Sequence, residues 1–212
     1  SLTLHRPLRL REMEAGWYRY LSMWRFHTDG TIHPRFGFDG VNNSCICNLH
    51  NHHAYWRFEF ALDGGTNHEV YEEDLRGSTL RTTEFRRRRD PATRPAPQPT
   101  YRIRNPSTGD AYRLVPGEHD DFSDTYGRGD LWVVQARSTE LDDGVNCTSG
   151  CATQANLDPF VNGESIQNQG VVVWYAGHFF HSVADAARPG GPLDAETESH
   201  PVVRPDPVPV SW

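Results

Sequence analysis

His50-Asn51-His52-His53-Ala54-Tyr55-Trp56-Arg57-Phe58-Glu59-Phe60-Ala61-Leu62 decides the fold. Ala54, Trp56, Phe58, Phe60 and Leu62 fall on one parity, and Tyr55, Arg57 and Glu59 on the other. A period of two belongs to a half-buried strand, because successive side chains leave opposite faces. A strand is therefore expected over Ala54 to Leu62. Carried backwards, the apolar parity takes in His50 and His52, while Asn51 and His53 share the other face. Neutral imidazole nitrogens in a low-dielectric interior need a proton donor or a metal. His-x-His on a core face is thus a metal half-site; the alternative is two core histidines hydrogen-bonded to backbone.

Outward from this stretch the signal stays β. Aromatic and β-branched runs at Trp17 to His27, Thr31 to Phe38, Thr100 to Arg104, Ala111 to Val115, Leu131 to Ala136 and Val171 to Tyr175 alternate with turn clusters such as Asp29-Gly30 and Asp63-Gly64-Gly65. No segment holds a helical period beyond two turns, so the expected fold is an all-β antiparallel sandwich with long loops. Residues 1–187 are expected to form the sandwich. Residues 188–212 hold many prolines, which are expected to prevent regular pairing and leave a Pro-rich tail or arm. The tail's Val202, Val203, Val208, Val210 and Trp212 are residues that a second chain could bury.

Composition narrows the function. All 21 basic residues are Arg, and 28 acidic residues give a formal charge of -7. Without a single Lys there is no Schiff-base or P-loop lysine, and the acidic balance argues against a nucleic-acid partner. No run is long and apolar enough for a spanning helix. Arg86 to Arg89, next to a Pro-rich stretch, reads as a solvated loop. Glu118-His119-Asp120-Asp121 and Asp142-Asp143 read as solvated acidic loops. Cys45, Cys47, Cys147 and Cys151, with sequons at Asn42 and Asn146, point to disulfides in a secreted or extracellular glycoprotein. A thiolate zinc site is the rival reading.

A third ligand completes the half-site. The buried run Val171-Val172-Val173-Trp174-Tyr175 is followed by His178 and His181, either of which could join His50 and His52. His5, His27, His33, His68, His119 and His200 stand isolated on polar stretches and read as surface residues. His53 is read as surface or as supporting the ligands.

His50-Asn51-His52 followed by Arg57-Phe58-Glu59 and Leu62-Asp63-Gly64 resembles the segment that carries two copper ligands in the copper amine oxidases, the topaquinone enzymes. Val172-Val173-Trp174-Tyr175 with His181 seven residues after Trp174 is similar to the strand and loop that carry the third. Trp24 with Asp29-Gly30-Thr31-Ile32, Tyr101 to Pro106, and Leu131-Trp132-Val133 with Ser138 to Leu141 also have counterparts in order. The resemblance implies the C-terminal half of a catalytic β-sandwich, in a homo-oligomer or completed by a second chain, that oxidises primary amines to aldehydes. It nominates His50, His52 and His181 as copper ligands and Tyr18 as the precursor of topaquinone.

Trp17 and Arg19 flank Tyr18 where the family has Asn and an acidic residue, and the family's proton-abstracting aspartate has no counterpart here. Abstraction of an α-proton by a positioned base is worth roughly 10²- to 10⁴-fold. Oxidase activity is therefore expected to be reduced or lost, with Tyr18 an ordinary tyrosine in most molecules. The alternatives are a non-catalytic copper-binding structural or assembly protein and a cupin-like non-haem iron enzyme.

Overall fold

The computed structural model describes residues 6–15, 18–40, 50–88, 98–117, 129–140, 157–181, 198–199 and 201–206. The four cysteines, both sequons, Trp17, His5, His119, His200 and the two acidic loops lie outside the described residues. The strands are β1 (Arg6–Ala15), β2 (Tyr18–Phe26), β3 (Ile32–Gly40), β4 (His50–Phe60), β5 (Glu69–Asp74), β6 (Gly77–Arg81), β7 (Phe85–Arg87), β8 (Thr100–Arg104), β9 (Ala111–Val115), β10 (Leu131–Gln135), β11 (Val171–His181), β12 (Glu198–Ser199) and β13 (Val202–Pro205). Short 3-10 turns at Leu62–Gly64 and Asp158–Phe160 punctuate the loops. The chain is all-β and antiparallel, a sandwich as the alternation at 54–62 predicts.

Two compact units divide the chain, with β4, β9 and β11 contributing to both. In the first unit the strand order is β1-β2-β3-β13, with β12 also on β3. β2 and β3 form a hairpin that pairs Tyr20 with Phe38 and Phe26 with Ile32. Its Asp29-Gly30 reversal is held by the Thr31 N–H donating to Asp29 Oδ1 at 2.9 Å, with Gly30 at φ 85. Tyr20 and Phe36 stack at 5.7 Å and pack on Ala54 of β4.

In the second unit one sheet runs β9-β8-β5-β6 and the other β4-β11-β10-β7. Phe85 of β7 meets Tyr101 of β8 at 6.3 Å, where the sheets face each other over buried Val70, Ile103, Val133 and Val173. The other face of the second sheet buries Trp132, Val134, Val172 and Trp174 under Leu157, Phe160 and Val161.

The alternation of apolar residues does not mark β1, β5, β6 and β7: β1, β5 and β7 are rich in charged residues and β6 is Gly-Ser-Thr-Leu-Arg. Around β5, ion pairs across strands stand where β-branched pairs usually do. Glu72 accepts from Arg81 and from Arg87 Nε at 2.8 Å. Glu73 accepts from Arg102 Nε at 2.9 Å and from Arg113, which also holds Asp206. These guanidiniums hold the Glu72 and Glu73 carboxyls below the ordinary range against the opposing cost of burial.

Three expectations are corrected. The Arg86–Arg89 run is a strand in part: Arg86 and Arg87 lie in β7, bonded to Asp158 and Glu72. Regular pairing does occur in the Pro-rich tail. Glu198 pairs with Gly37 and Val203 with Ile32, because Pro201 and Pro205 fall at the ends of β13, where a missing N–H costs little. Val203 is buried.

The third correction is His68, which is fully buried instead of exposed. The Leu62 N–H donates to its Nε2 at 3.1 Å, and its Nδ1 donates to the Gln169 carbonyl at 2.9 Å, which fixes the neutral tautomer. His68 is two residues before Val70, also fully buried, so the strand parity held the signal. Burial pushes its pKa below the ordinary value, partly offset by the Gln169 carbonyl. The unfolded chain gains a proton near about pH 6.5 that the folded chain refuses. His68 thus contributes stability that is present above that pH and lost as the pH falls below it. Urea midpoints measured from pH 7.5 to 5 are expected to fall more steeply in the wild type than in His68→Gln; equal slopes would refute the assignment.

Candidate metal-binding strand pair

β4 places its residues as the alternation predicts. Ala54, Trp56, Phe58 and Phe60 are buried and Glu59 is exposed. β4 hydrogen-bonds to β11, and two contacts set their offset. The His53 and His178 rings lie 4.7 Å apart, and the Arg57 guanidinium carbon lies 6.0 Å from the Trp174 ring. Four residues forward along β4 are thus four residues back along β11, so the strands are antiparallel. Continued unbroken for three residues the other way, the same offset would set position 50, the first of β4, against position 181, the last of β11.

This register separates the two rivals for third ligand. His178 is fully buried, in phase with Trp174 and against His53, on the face that β4 gives to Tyr55 and Arg57. His181 occupies a position in phase with Val173 and Tyr175, the parity that faces the interior of the sandwich. In the sequence, the signal for the His53–His178 contact is the shared parity of His53 with Tyr55 and of His178 with Trp174.

His52 is half-buried, and the Tyr20 ring meets it edge-on at 6.1 Å. Desolvation raises the pKa of Tyr20. Tyr18 begins β2 two residues before Tyr20, in phase with it, opposite Gly40 of β3 and Ala15 of β1. The side chains of Tyr18, Arg19, His50 and His181 lie outside the described residues.

Residues facing each other across an antiparallel pair are about 4.5–5.5 Å apart and i, i+2 neighbours about 7 Å, the scale on which a metal held by several imidazoles at about 2 Å each is built. An all-nitrogen set suits Cu(II). Among the described side chains, which include His52 but neither His50 nor His181, no three ligating groups converge. No helix among the described residues is long and apolar enough to cross a membrane.

Solved structures share this fold. A copper-containing benzylamine oxidase from Hansenula polymorpha superposes with a TM-score of 0.70 at 17% identity, over 93% of this chain and 38% of its own. Pichia pastoris lysyl oxidase gives 0.63 at 15% identity, over 93% and 34%. Aspergillus nidulans amine oxidase gives 0.62 at 16% identity, over 94% and 36%. The chain therefore spans about a third of the length of the copper amine oxidases whose fold it shares. No protein-family model and no curated sequence matches it.

Proposed function

We propose that this chain is the copper-holding portion of an amine oxidase-like sandwich, with His50, His52 and His181 as ligands. The observation that supports the reading is the β4–β11 offset, which, continued to the strand ends, would set position 50 against position 181, while His178 lies against His53. The fold shared with copper amine oxidases supports it. Bound copper supplies a redox-active Lewis acid and, with dioxygen, the means to make a quinone from a nearby tyrosine. This chain's own residues hold the ion and enclose it: the Tyr20 ring lies against His52, and the stacked Tyr20–Phe36 pair covers Ala54 beside it.

The preferred form of the proposal is a copper protein with oxidase activity reduced or lost, in which Tyr18 stays unmodified and the polypeptide acts as a homo-oligomer or with a second chain. Arg19 beside Tyr18, in place of the family's acidic residue, supports it. Full activity on a primary amine, with topaquinone from Tyr18, is the second form. A secreted, disulfide-bonded chain is part of the proposal, supported by the even cysteine count and the sequons.

Copper-loaded protein, freed of excess metal, is expected to bind one Cu(II) with nitrogen hyperfine structure in paramagnetic resonance. The Tyr18 peptide is expected at its unmodified mass. Absence of bound copper sinks the proposal, and selective iron loading points to the cupin-like alternative. A quantitative mass gain of quinone formation replaces the non-catalytic form with the oxidase.

A further inference from the structure

One row of side chains crosses the four-stranded sheet of the second unit in near-mirror order. The register sets Arg86 of β7 against Trp132 of β10, and Trp132 against Trp174 of β11. Arg57 of β4 lies over Trp174. The row therefore reads Arg86, Trp132, Trp174, Arg57.

The first half of the row is closed by a carboxylate. Asp158 Oδ1 accepts from Arg86 Nη1 at 2.7 Å and from Trp132 Nε1 at 3.1 Å. In the second half no carboxylate bridges the indole and the guanidinium. Trp174 Nε1 and Arg57 Nε are both buried, and neither has a hydrogen-bond partner. Trp174 is 5% exposed. The Arg57 ion pair uses Nη2, 2.9 Å from Glu59 Oε2, and leaves Nε untouched. A buried donor left unmet costs its full desolvation, so two of them on neighbouring side chains call for an acceptor. The first half of the row shows which acceptor an arginine and an indole N–H share in this protein.

We propose that Arg57 and Trp174 form a carboxylate-binding site, the counterpart of the Arg86–Trp132 pair that Asp158 fills. Its ligand is the carboxylate of a small organic acid or of a peptide terminus. The guanidinium supplies a charge-assisted bond and the indole a directed neutral one. The Arg57 side chain keeps 24% of its surface exposed, which gives the ligand a way in. The site stands independently of the copper proposal.

The test follows indole N–H resonances of the full chain in two-dimensional NMR, with Trp174→Phe giving the assignment. Acetate, N-acetylglycine and inorganic phosphate are titrated at constant ionic strength. Saturable movement of the Trp174 indole proton with both carboxylates is expected, with Trp132 unmoved because Asp158 already occupies it. Arg57→Gln is expected to weaken binding at least ~10-fold. Equal affinities for the two carboxylates support a free acid as the source, and tighter N-acetylglycine supports a peptide terminus. No saturable shift, an unchanged response in Arg57→Gln, or phosphate binding as tightly as acetate overturns the proposal.

Discussion

His50→Ala, His52→Ala and His181→Ala are each expected to lower copper affinity by at least about 100-fold, whereas His53→Ala changes it by no more than a few-fold. Residues that merely orient a ligand cost 10- to about 100-fold when removed, so loss of a ligand itself sets that figure as a floor. His53 is the informative control. It neighbours His52 in sequence, yet strand parity sends it to the opposite face, where its ring meets His178 at 4.7 Å. Competition titration against a chelator of known affinity reads the effect. Equal losses at His53 and His52 would mean that the ion sits on the other face of β4, and the copper assignment would fall. Circular dichroism of each variant separates lost ligation from lost fold.

Trp132→Ala is expected to cost about 3–5 kcal/mol of stability, the range for emptying a buried aromatic position. Trp132 is fully buried, central in the β11-β10-β7 register and packed with Tyr55 at 6.4 Å. Its indole also ties the Asp158 turn down at 3.1 Å. For a chain of this length the melting temperature should fall by about 10 °C. Trp132→Phe keeps most of the ring volume and removes the N–H, so its smaller loss, about 1 kcal/mol, isolates the bond to Asp158. A melting temperature within a degree or two of wild type for Trp132→Ala would show that the loop at 157–161 does not depend on this core. A Cβ at neighbouring Gly129 would sit 2.6 Å from Arg86 Cγ, so the Arg86 side chain lies where only glycine leaves room.

Where apolar residues alternated, the strands were legible in the sequence. Thr100–Arg104 and Ala111–Val115 fall within the same bounds in both readings. Where the outward residues are charged, as in Glu69–Asp74, or where a strand buries almost nothing, as in Gly77–Arg81, no such periodicity stands out. An Arg facing a Glu across two strands is as compatible with a pleated sheet as a Val–Thr pair, but alone in the sequence each looks like loop. β11 also outruns its apolar stretch Val171–Tyr175, continuing through Ala176-Gly177-His178 to His181.

The sequence by itself determined the all-β class, the inward parity of His52 with Ala54, Trp56, Phe58 and Phe60, and the exclusion of lysine chemistry. These are local properties, set by composition and by a two-residue period along one strand. Only the tertiary structure decided that His178 lies against His53, that His68 is buried, and that Arg57 and Trp174 share a face with Arg86 and Trp132. Each of those depends on which strands pair and with what offset. Pairing joins residues a hundred or more apart, and a shift of one residue in register exchanges the two faces of a strand, so no local pattern can fix it.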